Sequence, residues 1–186
     1  MPIFICHKRK SIQTIQKEYP DSEIIDVTSK ATNDYVKFSP FYPVGNIPLP
    51  FTDDRYSESV EGIWQGLKVF EDCGIDESKF LIKNMKNLKR TTRKYGTVLG
   101  HQKGIYSSEL LDYYSARLNI YVPSYEYVLK NYLHDLVEEL KTISSVKSLV
   151  LLDYETNTDL KNITKPLSHA SLIKSFIENN YKVPTL

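Results

Sequence analysis

Between Phe38 and Tyr56 the chain carries Pro40, Pro43, Pro48 and Pro50, with Gly45-Asn46 between the two pairs. Each proline removes a backbone donor and fixes φ, so this stretch cannot be a helix and can enter a sheet only at an edge. It is expected to be an ordered loop or a short edge hairpin. It divides the regular structure of the chain into an early and a late part. Long ordered loops inside compact domains are uncommon and often carry function.

On the early side, Ile3-Phe4-Ile5-Cys6 reads as a short strand, residues 11–19 as a helix with Ile12, Ile15 and Gln16 at helical spacing, and residues 23–27 as a second strand after the break at Pro20-Asp21. On the late side, Val60, Ile63, Trp64 and Leu67 fall at i, i+3, i+4 and i+7, which predicts a helix over 59–71 with Gly74 as its stop. Further helices are expected over 78–95, 108–120, 125–143 and 168–179, and Gly96, Gly100 and Gly104 open a turn region. The stripe Tyr125, Val128, Leu129, Tyr132, Leu133, Leu136, Val137, Leu140 makes 125–143 the strongest of them. Residues 148–153 form a buried strand or a short helical turn, and 159–166 a loop. The expected class is α+β, helix-rich, with few and short strands in one globular domain.

The 186 residues hold 24 basic and 23 acidic side chains, a net charge of +1. That balance excludes a global attraction to nucleic acid but leaves room for a local basic patch. No apolar run approaches the roughly 20 residues of a membrane span, and Met1–Cys6 is too short for the apolar heart of a signal peptide. Cys6 and Cys73 cannot make a disulfide framework, so a reducing compartment, most simply the cytoplasm, is expected. His7, His101, His134 and His169 never pair at ligand spacing, so neither a metal nor a cofactor is expected. Fourteen tyrosines against one tryptophan suit binding surfaces and interfaces.

Three groups of residues could carry chemistry. Glu61, Gln65 and Lys68 lie at i, i+4 and i+7 beside Trp64, either as a solvated face or as a carboxylate held by an amide and an ammonium at a pocket wall. Lys79, Lys83, Lys86, Lys89, Arg90, Arg93 and Lys94 run without an acid among them, either a solvated helix or a site for an anion. Gly100-His101-Gln102-Lys103-Gly104 matches neither phosphate-binding glycine signature, and His101 reads equally well as a turn residue. Asp153, Asn157 and Asp159 cluster with Thr156 and Thr158 in a polar loop, which either builds turns or brings Asn157 or Asp159 to the pocket of Glu61.

Two of these segments carry a resemblance. Phe38-Ser39-Pro40-Phe41-Tyr42 is similar to the Phe-Ser-x-Phe opening of the NADAR superfamily, named for NAD and ADP-ribose. Ser59-Val60-Glu61-Gly62-Ile63-Trp64-Gln65-Gly66-Leu67-Lys68-Val69-Phe70 resembles its Ser-x-Glu-x-x-x-Gln-x-x-Lys-Phe helix, with one residue inserted between Lys68 and Phe70. The order of elements continues to residue 160, giving a core over 31–160, a βαβ-like extension over 1–30 and a C-terminal helical segment over 161–186. The resemblance implies an N-glycosidase fold and cleavage of a ribosyl C–N bond in an ADP-ribose or ribosyl-phosphate conjugate. It implies Glu61 as the catalytic carboxylate, with Asp159 in support. Phe38, Ser39, Phe41, Trp64, Gln65, Lys68 and Asn157 would surround the substrate, and Arg90 and Arg93 would hold its phosphates. The partner would be a small nucleotide or an ADP-ribosylated substrate, with contact to modified nucleic acid and none to a membrane. The oligomeric state is open. The alternatives are a module that binds ADP-ribose without cleaving it, and a nucleic-acid-binding protein using the basic stretch with tyrosines for stacking.

Overall fold

A computed structural model describes residues 1–179, so the last part of the expected C-terminal segment, 180–186, lies outside the described residues. In chain order the elements are β1 (Ile3–His7), α1 (Ile12–Glu18), β2 (Glu23–Asp26), β3 (Ile47–Pro48), β4 (Tyr56–Ser57), α2 (Val60–Gly66), β5 (Lys68–Phe70), α3 (Thr92–Tyr95), β6 (Val98–Gln102), β7 (Leu110–Leu111), α4 (Tyr113–Ala116), α5 (Val122–Asn131), α6 (His134–Val146), β8 (Leu149–Asp153) and α7 (His169–Ile177). Short 3₁₀ turns span Asp34–Phe38 and Glu77–Leu81, and a π-helical turn spans Arg117–Tyr121. The class is α+β, as the sequence predicts. No helix of the described residues is long and apolar enough to cross a membrane. Two compact units form: Pro40–Val128, and residues 1–39 with those from Leu129 on.

The terminal unit is built on a three-stranded parallel sheet of order β1-β8-β2. All five residues of β8 are buried, which its Leu-Val-Leu-Leu run anticipates. Cys6, Ile15, Val150 and Leu152 form a core cluster there, with Phe4, Tyr19 and Ile24 packed on it. Strand β8 ends on Asp153, whose Oδ2 accepts from Ser168 Oγ at 2.7 Å and lies 3.0 Å from His169 Nδ1. His169 Nε2 lies 2.8 Å from the Val27 carbonyl. Both ring nitrogens thus face acceptors, and the imidazolium is the form that satisfies both. Its attraction to Asp153 outweighs burial, raising the His169 pKa and holding that of Asp153 down at about 2.

In the Pro40–Val128 unit the proline segment folds as the edge hairpin β3-β4, and β5-β6-β7 form an antiparallel sheet. Helix α2 starts where Ser59 Oγ accepts from the Gly62 N–H at 3.0 Å. It ends at Gly66, earlier than the expected residue 71, because Lys68–Phe70 leave the helix to pair with β6. A Cβ at Gly66 would stand 2.1 Å from Phe80 Cε1, so glycine there lets α2 lie against the Glu77–Leu81 turn.

Three other helix predictions are corrected. Residues 78–95 are a 3₁₀ turn, an irregular segment and the short α3. Like charges three and four apart oppose a helix, Asn87 takes φ 60°, and its carbonyl accepts from Lys79 Nζ at 2.8 Å. In the expected helix over 108–120, Leu110–Leu111 form strand β7, and the helix begins only at Tyr113, where Asp112 Oδ1 accepts from the Ser115 N–H at 2.8 Å. From there the chain stays helical through Pro123. Proline has no N–H for the Asn119 carbonyl, and the π-helical turn just before it absorbs the misfit. The expected helix over 125–143 is two, α5 and α6, broken at Tyr132-Leu133. Of the expected stripe, Tyr125, Val128, Leu129, Leu133, Val137 and Leu140 are buried, while Tyr132, at the break, is exposed.

Candidate functional site

Glu61 faces inward from the first turn of α2 and is only 6% exposed. Its Oε1 accepts from Gln65 Nε2 at 2.9 Å. Gln65 cannot turn over, because its Oε1 accepts the Arg90 N–H at 2.9 Å. The carboxyl is therefore aimed by an amide that the backbone orients. Burial raises the Glu61 pKa, opposed by the Gln65 hydrogen bond and by the charges of Lys68 and Lys89. Burial likewise lowers that of Lys68, helped by the Arg90 and Lys89 charges and opposed by Glu61. A carboxyl and an amine shifted toward each other in one place form a typical acid–base arrangement.

Trp64, on the same helix, is surrounded by rings. His101 lies tilted at 31° against it with centroids 3.7 Å apart, Tyr113 and Tyr121 meet it edge-on at 5.7 and 5.5 Å, and Lys68 Nζ lies 5.8 Å from the ring centre. His101 is a fully buried strand residue, not the turn residue that its glycine neighbours suggest. Neither of its ring nitrogens has a well-formed hydrogen bond, the Trp64 backbone giving only a weak electrostatic contact. Burial and the Lys68 charge hold its pKa down at about 3, so the ring is neutral. Tyr113, Arg117 and Tyr121 were not singled out from the sequence. Their spacing of four residues was the available signal, with the Arg117 guanidinium 4.9 Å from the Tyr113 ring centre.

The expected phosphate clamp is absent in the form predicted. Without a helix over 78–95, Lys86, Lys89 or Arg90, and Arg93 share no helical face. Arg90 is buried, and its guanidinium donates to the carbonyls of Gln65, Lys68 and Gly74 at 3.2, 2.6 and 2.6 Å. It also lies over Phe70 and Tyr95, 4.9 and 5.1 Å from their ring centres. Arg90 is a post that ties α2, β5 and the following turn together. Lys89 remains exposed with Nζ 5.4 Å from the Phe41 ring centre, and Arg93 is exposed on α3.

The remaining predicted residues belong to the other unit. Phe38 is fully buried there, stacked 6.2 Å from Tyr35, and Ser39 is buried. Asn157 builds the polar loop, donating to the carbonyls of Asn162 and Lys165 at 3.0 and 3.2 Å and accepting from the Asp159 N–H at 3.1 Å. Asp159 accepts from the Lys161 N–H at 2.9 Å. These bonds are those of the turn-building reading. Among the described residues no three His, Cys, Asp or Glu side chains gather to hold a metal ion.

A family model covers residues 7–173, nearly the whole chain, including both units and every residue of this site. The chain belongs to the family of unknown function DUF6939. Glu61, Gln65, Trp64, Lys68, Arg90 and His101 all fall within the matched span of this DUF6939 chain. No curated protein matches it.

Proposed function

We propose that this DUF6939 protein is an N-glycosidase that hydrolyses a ribosyl C–N bond in an ADP-ribose or ribosyl-phosphate conjugate, as its resemblance to the NADAR superfamily implies. The observation that supports this reading is the buried Glu61 carboxyl, restrained by Gln65 and close to the Lys68 and Lys89 charges. Breaking a ribosyl C–N bond builds positive charge on the sugar ring. A fixed carboxylate beside that carbon favours the oxocarbenium-like state and can take the proton of the attacking water. A carboxyl whose pKa burial has raised is a better base than a solvated one. Lys89, exposed over Phe41, and Arg93 are the cations left to receive phosphate oxygens once Arg90 is committed to the backbone.

The test is incubation with an ADP-ribosylated nucleobase and measurement of free ADP-ribose by mass spectrometry. Wild-type protein is expected to release it, and Glu61→Gln to lose about 10²–10⁴-fold of the rate while keeping its fold. Full activity of Glu61→Gln would remove the reading. Binding without release, by both proteins alike, would favour the module that holds ADP-ribose uncleaved.

A further inference from the structure

Arg90 grips Gln65 at both ends. Residues 88–91 alternate, with Leu88 and Arg90 buried and Lys89 and Thr91 exposed, so this arginine turns inward from an irregular segment. Its N–H donates to Gln65 Oε1, and its Nη1 donates to the Gln65 carbonyl. The carbonyls of Lys68 and Gly74 take further donors of the same guanidinium, which forms no ion pair among the described residues. Three carbonyls in separate places require a planar fork of donors, which the compact ammonium of a lysine does not offer.

The consequence falls on Glu61. With Gln65 Oε1 held, the amide presents its N–H to Glu61 Oε1, and Glu61 Oε2 has no hydrogen bond among the described residues. One carboxyl oxygen is restrained and the other is left to take a proton. If the Gln65 amide turned over, its oxygen would face the carboxylate, and two acceptors repel. We propose that Arg90 is a positioning residue: by gripping Gln65 it keeps the Glu61 carboxyl in the orientation that takes a proton from water. Its part in turnover rests on the N-glycosidase reading; the orientation of the carboxyl does not. Lys68 and Lys89, the other charges that act on Glu61, are common to every variant that tests this.

Full-length protein is titrated by carbon NMR of its side-chain carboxyls, the Glu61 signal being the one absent from Glu61→Gln. Arg90→Lys keeps a positive charge and loses the fork, so a shift there is not simple loss of charge. The Glu61 midpoint is expected to rise by about 1 pH unit in Arg90→Lys and in Gln65→Met, and by no more in the double variant. A wild-type midpoint in Arg90→Lys, or additive shifts, would overturn the proposal. So would the absence, in wild-type protein, of scalar coupling between the Arg90 amide nitrogen and the Gln65 side-chain carbonyl carbon. That last result needs no variant to fold. Where ADP-ribose is released, the acidic limb of the pH–rate profile is expected to move with the midpoint. Shifted midpoints in a protein that releases none would sustain the positioning and count against the N-glycosidase reading alone. Release with an unmoved midpoint would do the reverse.

Discussion

Four buried ionisable side chains give the protein opposite responses to pH. The raised pKa of Glu61 means the folded chain holds that proton more tightly than the unfolded one, so its contribution to stability declines as pH rises past 4.5. Glu61→Gln is therefore expected to raise the denaturation midpoint at neutral pH while lowering the proposed glycosidase rate about 10²–10⁴-fold, a pairing checked by measuring both on one preparation. His101 acts the other way. Its pKa of about 3 against an ordinary 6.5 means stability is lost as pH falls between those values. Asp153, at about 2 against 3.8, also contributes above its unfolded value and is lost in acid. His169 contributes fully below 6.5 and is lost as pH rises through its raised folded value. Removing one partner of such a buried pair costs about 3–5 kcal/mol, so Asp153→Asn is expected to lower the urea midpoint and flatten the alkaline limb of the stability curve. An unchanged curve would show that the pair does not hold α7.

Helix α2 supplies three of the site residues in two turns, and Gly66 sets how closely it lies against Phe80. Gly66→Ala would put a Cβ into the Phe80 ring, an overpacking expected to cost about 1–3 kcal/mol. Phe80→Leu in the same chain should restore part of it, and a thermal melt of the three variants checks the pair. The face of α2 was legible in the sequence because Glu61, Gln65 and Trp64 follow helical spacing. So were the burial of β8, the edge hairpin of the proline segment and the closing helix, each marked by local composition. Arg90 was not legible. Its partners are carbonyls of Gln65, Lys68 and Gly74, and no spacing rule reports a side chain that turns back across the fold to backbone. His101 was hidden for a related reason. Glycines on both sides suggested a turn, yet strand pairing buried it opposite Lys68, and pairing over such a distance leaves no local trace.

The chain places one unit inside the sequence of the other: Pro40–Val128 interrupts the terminal unit, which is closed by residues far downstream. Its one tryptophan, Trp64, lies in the inserted unit and reports on it alone. Leu151→Asp, which puts a charge into the fully buried β8, is expected to open residues 1–39 to protease while the emission of Trp64 stays native. Simultaneous loss of both signals would show a single cooperative fold. The order β1-β8-β2 also has a consequence in time. Ile5 and Ile25 both pair with Leu151, so neither of the first two strands has its neighbour when it leaves the ribosome. The nascent chain must complete the whole inserted unit while two oily, unpaired ribbons wait upstream of it. Cells making this protein would have to shelter those two ribbons until Leu149–Asp153 has been synthesised.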